Sequence, residues 1–298
     1  MRIGRAAAVT DTGRQRLRNE DAFVCEPPLF AVADGMGGAR AGEVAARLAA
    51  TALEEAERGG DVLGLITEAN RRIWERSVTD PETAGMGSTV TAALVDGTGD
   101  KVTIGHVGDS RAYLLRDGEL EQLTSDHSLV AELVEGGVLT PEEAERHPQR
   151  SAITRALGTE PTVEVDVFAI DAVAGDLFLI CSDGLSSMVD DETVASVIGD
   201  AGGDPARAAE ALVAAANANG GQDNITVVLF EMVEGDEVQP EVTLRQDPAP
   251  DASALDGAPA PAEVSTHGAG KGGRLPAFLI VVGVLVVGAL LLYWGISQ

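Results

Sequence analysis

Five aspartates share one local setting, in which a predicted strand gives way to a turn. They are Asp21 in Asn19-Glu20-Asp21, Asp34 in Ala33-Asp34-Gly35-Met36, Asp109 in Val107-Gly108-Asp109-Ser110, Asp183 in Cys181-Ser182-Asp183-Gly184 and Asp223 in Gly221-Gln222-Asp223-Asn224. A strand end is a rigid platform, and a neighbouring glycine lets backbone and ligand approach closely. A single Asp-Gly pair commonly marks a hairpin turn, but repetition after apolar strands points elsewhere. Carboxylates that converge without counter-charge repel one another, so hard cations are their natural partner. All-oxygen ligation suits Mg²⁺ or Mn²⁺, and the lack of cysteine clusters or paired histidines disfavours zinc. Cys25 and Cys181 are the only cysteines, and Cys181 closes the apolar run Leu177–Ile180, so a buried thiol is expected rather than a disulfide.

The elements that must position these aspartates are legible as blocks. Strands are predicted over 6–10, 29–33, 89–95, 101–107, 112–116, 163–170, 177–181 and 224–231. Val163, Val165, Val167 and Ala169 alternate with Glu164 and Asp166, the period of a half-exposed strand. Residues 177–181 and 225–230 are apolar on both faces and must be covered on both sides. Helices are predicted over 42–57 and 61–78, the second with the apolar stripe Val62, Ile66, Ala69, Ile73. Asp204-Pro205 places an N-cap before a first-turn proline, ahead of the core-facing Ala208, Leu212, Val213 and Ala216. Thr140-Pro141-Glu142-Glu143 reads as a capping box. Strand blocks separated by paired helices argue for an α+β fold with helices outside sheets.

Acidic residues outnumber basic ones 48 to 21, for a formal charge of -27, which excludes a nucleic-acid-binding surface. Residues 1–234 carry the dense structural signals. Residues 235–274 are acidic and rich in Pro, Ala and Gly, and read as a disordered linker. Residues 275–296 hold no charge and are almost wholly apolar; at about 1.5 Å per residue such a helix reaches about 33 Å, enough to cross a bilayer. Tyr293 and Trp294 supply an interfacial anchor at one end, and Lys271 and Arg274 flank the other. The Met-Arg-Ile-Gly-Arg start lacks the apolar core of a signal peptide. The expectation is a single-pass protein of the cell membrane, with its catalytic part in the cytoplasm.

An ordered set of motifs extends beyond the aspartates: Arg16 with Asn19-Glu20-Asp21, Ala33–Gly38, Gly85-Met86-Gly87-Ser88-Thr89, Gly108–Arg111, Thr124–Ser128, Ser182–Leu185 and Gly221–Val228. Over roughly residues 5 to 231 this resembles the bacterial form of the metal-dependent type 2C (PPM) serine/threonine phosphatases. The resemblance implies a four-layer α-β-β-α sandwich of antiparallel sheets flanked by helices, followed here by the transmembrane helix. By motif, Asp34 would bridge two Mn²⁺ or Mg²⁺ ions, the Gly35 carbonyl would ligate one, and Asp183 and Asp223 would complete the pair. Glu20 and Asp21 would hold metal-bound waters, and Asp109 with Asp183 would form a third site. Arg16 would bind phosphate, its guanidinium fork taking two oxygens at once. A metal-bridging hydroxide would attack phosphoserine or phosphothreonine directly, so no serine or cysteine nucleophile is required. Arg111 is expected to be structural.

One departure concerns the proton donor, because Met36 stands where some relatives carry histidine. A metal-bound water near Asp109 and His127 are the two candidates left open. Residues 126–158, with His147–Arg150 and Thr154–Gly158, match the family's flap. The expected partners are phosphorylated proteins, including membrane-anchored Ser/Thr kinases that the enzyme would oppose. A stress-response phosphatase acting on anti-sigma-factor antagonists and a non-catalytic phosphoprotein binder are the competing readings.

Overall fold

The computed structural model describes residues 1–37, 41–55, 61–235 and 240–246, all within a unit that spans Met1–Asp251. Its strands are β1 (Arg2–Asp11), β2 (Asp21–Glu26), β3 (Leu29–Met36), β4 (Gly87–Ser88), β5 (Val90–Val95), β6 (Lys101–Val107), β7 (Arg111–Arg116), β8 (Glu119–Gln122), β9 (Asp166–Asp171), β10 (Leu177–Cys181), β11 (Ile225–Val233) and β12 (Glu241–Gln246). Its helices are α1 (Ala41–Glu54), α2 (Val62–Thr79), α3 (Leu129–Glu135), α4 (Pro141–Glu145), α5 (Asp183–Ser186), α6 (Asp191–Asp200) and α7 (Pro205–Ala218).

The strands form two six-membered groups. One sheet runs β12-β1-β11-β10-β7-β8; the other runs β2-β3-β5-β6-β9, with β4 added to β3. Phe30, Val32, Ile104, Ile180, Val228 and Phe230 fill the space between the sheets. There Phe230 stacks between Phe30 and Phe178, at centroid distances of 4.1 and 4.9 Å. The outer face of the second sheet is covered by α1 and α2. Ala45, Ala46 and Ala49 let α1 sit close, while Ile66, Ala69 and Ile73 provide the stripe of α2. The outer face of the first sheet buries Leu179, Cys181 and Val227 against Ile198, Ala209 and Leu212 of α6 and α7. This is the expected α-β-β-α order, and each outer helix explains why its strands are apolar on both faces.

Helix starts follow the capping chemistry in the sequence. Asp61 accepts from the Gly64 N–H at 2.6 Å, and Asp204 from the Ala206 and Arg207 N–H groups ahead of Pro205. Thr140 and Glu143 form the reciprocal capping box of α4.

Several expectations need correction. The strands β2, β4 and β8 and the helices α3, α5 and α6 are not among the predicted elements, because each is too short for a period to show in the sequence. The phase of β9 is opposite to the one predicted: Val167 and Ala169 point to solvent, while Phe168 and Ile170 pack between the sheets. Val163 and Val165 do pack inward, but before the strand begins, so the alternation slips at Asp166. The sheets are not wholly antiparallel, because β12 adds to β1 in parallel, from Arg5↔Glu241 to Thr10↔Gln246. That strand also lies inside the stretch expected to be a disordered linker. Its Val242 and Leu244 remain exposed, so backbone pairing rather than apolar burial holds it. The rest of the linker and the span at 275–296 lie outside the described residues. Among the described residues, no helix is long and apolar enough to cross a membrane.

Register brings the motif aspartates to one end of each sheet. Asp21 pairs with Asp34 across β2 and β3, Cys181 pairs with Arg111 and Val227, and Asp11 pairs with Ile225.

Candidate active site

A cleft of about 220 Å³ opens at that end, lined by Arg16, Glu20, Asp34, Gly35, Met36, Asp109, Asp183 and Asp223 among others. Every residue expected to bind metal or phosphate lines it except Asp21, whose carboxyl group is buried. The Asp21 Oδ2 atom accepts from Ser182 Oγ at 2.8 Å and from Thr226 Oγ1 at 2.6 Å. Thr226 in turn shares a 2.7 Å bond with Thr10, and Thr10 accepts from Asn19 Nδ2 at 2.7 Å. The hydroxyls of three strand ends thus aim one carboxylate.

The glycines beside the aspartates are there for close approach rather than for hairpin turns. A Cβ on Gly35 would stand 2.0 Å from the Gly42 carbonyl oxygen. One on Gly184 would stand 1.9 Å from that of Asn224. Asn224 was not singled out in the sequence, yet it holds the loop before β2. Its Nδ2 donates to the carbonyls of Thr12 and Arg18 at 2.9 and 2.8 Å, and its Oδ1 accepts from the Glu20 N–H at 2.8 Å. The signal was present in the Asp223-Asn224 pair, but only a neighbour distant in sequence gives the asparagine its task. Ser151 and Ile153 of the 126–158 segment also line the cleft.

The electrostatics are those of a crowd of like charges. Burial pushes the Asp34 carboxyl well above the usual range, and Asp21, Asp183, Asp109 and Asp223 push it further. Burial and then Asp183 raise Asp21 and Asp109 to about 7. Asp183 rises to about 6 through burial and then Asp223. Glu20 is raised as well, chiefly by burial. Three buried carboxylate oxygens, Asp21 Oδ1, Asp109 Oδ1 and Asp183 Oδ1, have no hydrogen-bond partner. An unpaired buried acceptor costs about 1–3 kcal/mol, so such a cluster favours cations over solvent-free isolation. Among the described residues, no three carboxylates, imidazoles or thiols already stand closed around an ion position. The orphaned oxygens and the all-oxygen donor set nevertheless fit hard divalent cations.

Arg16 sits at the rim, half exposed, with Nη2 2.6 Å from Asp223 Oδ2. Met36 lines the cleft and has no proton to give. His127 does not line it. Its Nδ1 accepts from the Gly108 N–H at 3.0 Å, so the ring proton belongs on Nε2, which faces Asp166 Oδ2 at 3.2 Å. Both nitrogens are engaged away from the cleft, which removes His127 from the candidates for proton donor. Arg111 makes a bidentate pair with Asp126 at 2.8 Å for each bond, a structural role as expected. Cys25 and Cys181 are free and buried, and burial pushes both thiols up to about 12.

With this geometry in place, comparison with known proteins is informative. Residues 12–216 match the family described as Protein phosphatase 2C. The serine/threonine protein phosphatase PstP of Mycobacterium tuberculosis (strain ATCC 25618 / H37Rv) is 45% identical over 239 residues, 78% of this chain and 46% of that protein. The chain thus spans about half the length of that relative. The serine/threonine phosphatase stp of Listeria monocytogenes serovar 1/2a is 40% identical over 238 residues, 74% of this chain and 93% of that one. A crystal structure of the PstP catalytic domain in complex with two manganese ions superposes with a TM-score of 0.71 at 41% identity, over 78% of this chain and 99% of that chain.

Proposed function

The chain belongs to the protein phosphatase 2C family, and on that premise we propose that it hydrolyses phosphoserine and phosphothreonine on proteins with the help of Mn²⁺ or Mg²⁺. One observation carries the reading: the cleft gathers Asp34, Asp109, Asp183 and Asp223 under Arg16 while leaving buried carboxylate oxygens unpaired. Asp34, Asp183, Asp223 and the Gly35 carbonyl would hold a pair of divalent cations, with Asp109 and Asp183 available for a third. Bound there, the cations would supply Lewis-acid charge to the phosphoryl group and activate water at neutral pH.

The chain's own residues do the rest. Arg16 offers a planar fork to two phosphoryl oxygens at the rim, and its partner Asp223 holds that fork over the cleft. Asp21 is fixed by Ser182 and Thr226 so that its second oxygen is aimed without a competing bond. Glu20 is positioned by the Asn224 side chain through its own backbone N–H. Because neither Met36 nor His127 can donate a proton into the cleft, the leaving alkoxide must take its proton from water.

Two finer readings rest on sequence. The apolar stretch 275–296, with basic residues on its N-terminal flank, supports anchoring in the cell membrane with the catalytic unit cytoplasmic. That placement would put membrane-anchored Ser/Thr kinases among the substrates. The experiment is hydrolysis of a phosphothreonine peptide by the full chain. Activity should need Mn²⁺ or Mg²⁺, vanish in EDTA, return on adding Mn²⁺, and be lost in Asp34→Asn. Turnover that survives chelation would overturn the proposal.

A further inference from the structure

The segment that bears the cleft wall at Ser151 and Ile153 is zipped at its base. The Leu129 N–H donates to the Ala152 carbonyl at 2.9 Å, the Thr154 N–H donates to the His127 carbonyl at 2.8 Å, and Ser128 bridges Ile153. His127 closes this zipper and is bonded twice to a single residue of another turn. The His127 N–H donates to the Gly108 carbonyl at 2.7 Å, and the Gly108 N–H donates to His127 Nδ1 at 3.0 Å. Gly108 immediately precedes Asp109, whose Oδ1 is buried in the cleft wall without a partner.

Gly108 cannot be held by ordinary packing of a side chain, because it has none and tolerates none. Its φ is +113°, and a Cβ there would meet Thr89 Cβ and Cγ2 at 2.6 Å. The two peptide planes that flank it therefore take their orientation from hydrogen bonds, and His127 supplies one on each side. The imidazole can take the Gly108 N–H only in one tautomer. Nδ1 must stay an acceptor, which requires the proton on Nε2. Asp166 favours this, its Oδ2 facing Nε2 at 3.2 Å as an acceptor, and Arg155 Nη1 positions that carboxylate by donating to Asp166 Oδ1 at 2.7 Å. The other face of the ring packs on His106, at a centroid distance of 4.7 Å. His106 is itself fixed by Thr91 Oγ1 at 2.9 Å and by the Ser125 carbonyl at 3.1 Å.

We propose that His127, held in one tautomer by Asp166, is the positioning residue for Asp109, setting the aim of that carboxylate by clamping the peptides on either side of Gly108. The proposal rests on the reading of Asp109 as a metal ligand. It gives a histidine outside the cleft a part in cation binding without contact with cation or substrate. Partners that orient a metal ligand are worth about 10–100-fold in affinity, which is the scale expected here.

A double-mutant cycle tests it, with Mn²⁺ alone titrated calorimetrically into the full chain. His127→Ala should weaken the Asp109-dependent Mn²⁺ uptake about tenfold. The pair His127→Ala with Asp109→Ala should bind no more weakly than Asp109→Ala alone, because the histidine acts only through that carboxylate. His127→Asn, whose carboxamide oxygen falls near the place of Nδ1, should restore much of the loss. Asp166→Ala, a change at a half-exposed site, should repeat the loss and covers the case in which His127→Ala does not fold.

Additive losses in the double variant would overturn the positioning role, as would failure of both Asp166→Ala and His127→Ala to change the titration. If Asp109→Ala titrates like the parent, the ligand reading falls and the clamp with it. That case is told apart from failure of the whole metal reading because Asp34→Asn would still abolish Mn²⁺ uptake.

Discussion

Arg16 Nη2 lies 2.6 Å from Asp223 Oδ2, so the arginine expected to grip phosphate is held by a carboxylate expected to ligate metal. The two roles are compatible if the carboxylate offers its oxygens to different partners: Oδ2 to the guanidinium, and Oδ1, which also accepts from the Asn224 N–H, toward the cleft. Removing the arginine should therefore injure phosphate binding more than cation binding. Arg16→Ala is expected to lower kcat/KM by about 10²–10³-fold, mostly through lost phosphoryl contacts, while Mn²⁺ uptake stays level or tightens. Arg16→Lys should recover only a part, since an ammonium cannot take two oxygens in one plane. Steady-state kinetics on a phosphothreonine peptide, paired with Mn²⁺ calorimetry, checks both halves.

The raised carboxyls fix the sign of a pH effect on stability. In the folded chain Asp21 and Asp109 titrate near 7 and Asp183 near 6, against about 3.9 when unfolded. Between those values the metal-free folded state holds more protons than the unfolded state, so its stability falls as pH rises. His106 acts in the opposite sense. Burial lowers it to about 4, so the stability it contributes is present above about 6.5 and lost as pH falls toward 4. From pH 6.5 to 8 the carboxylates should dominate. Thermal unfolding of EDTA-treated protein is expected to shift to lower temperature across that window. Added Mn²⁺ should reverse the shift, with a larger gain at pH 8 than at pH 6.5, because the cation replaces the protons.

How much of this was legible in the sequence depended on whether a residue's role was local. Strands 101–107 and 177–181 were read to the residue because they stop sharply at Gly108 and Ser182. The carboxylates were legible because each sits in a motif at a strand end. The roles of Asn224 and His127 were not, since both are set by partners far along the chain, Thr12 and Arg18 for one and Gly108 and Asp166 for the other. The phase of β9 was misread because Val163 and Val165 do face inward, and nothing local marks the slip at Asp166. β12 was hidden by its Pro- and acid-rich neighbours, which swamp the alternation of Val242 and Leu244.

β12 leads to a test of where the folded unit ends. It pairs with β1 over six residues and adds the ion pair Arg245–Glu210 at 3.0 Å. Since its side chains stay exposed, the gain is mainly backbone hydrogen bonding offset by ordering, about 1–3 kcal/mol in all. A chain that stops after Val233 should unfold at a temperature several degrees below one that stops after Gln246, at roughly 2–4 °C per kcal/mol for a unit of this size. Equal melting temperatures would show that β12 contributes nothing to the sheet.

The last test separates two meanings of glycine. Gly184 follows Asp183, and a Cβ there would stand 1.9 Å from the Asn224 carbonyl oxygen and 2.8 Å from its carbon. Neither is the free end of a flexible side chain. The strand end at Asn224 would have to move, and with it Asp223 and the hold on the loop before β2. Gly184→Ala is expected to cost about 1–3 kcal/mol and to lower Mn²⁺ affinity as well. Gly199, near the end of α6, offers the contrast: its Cβ would meet nothing within 4 Å. Gly199→Ala should instead stabilise the chain by about 0.4–1 kcal/mol through helix propensity and the loss of unfolded-state freedom. Denaturant unfolding of the two variants should therefore move in opposite directions, and only the first should disturb the metal titration. A Gly184→Ala protein with unchanged stability and Mn²⁺ uptake would mean that the close approach of α5 to Asn224, just ahead of β11, does not set the spacing of Asp183 and Asp223.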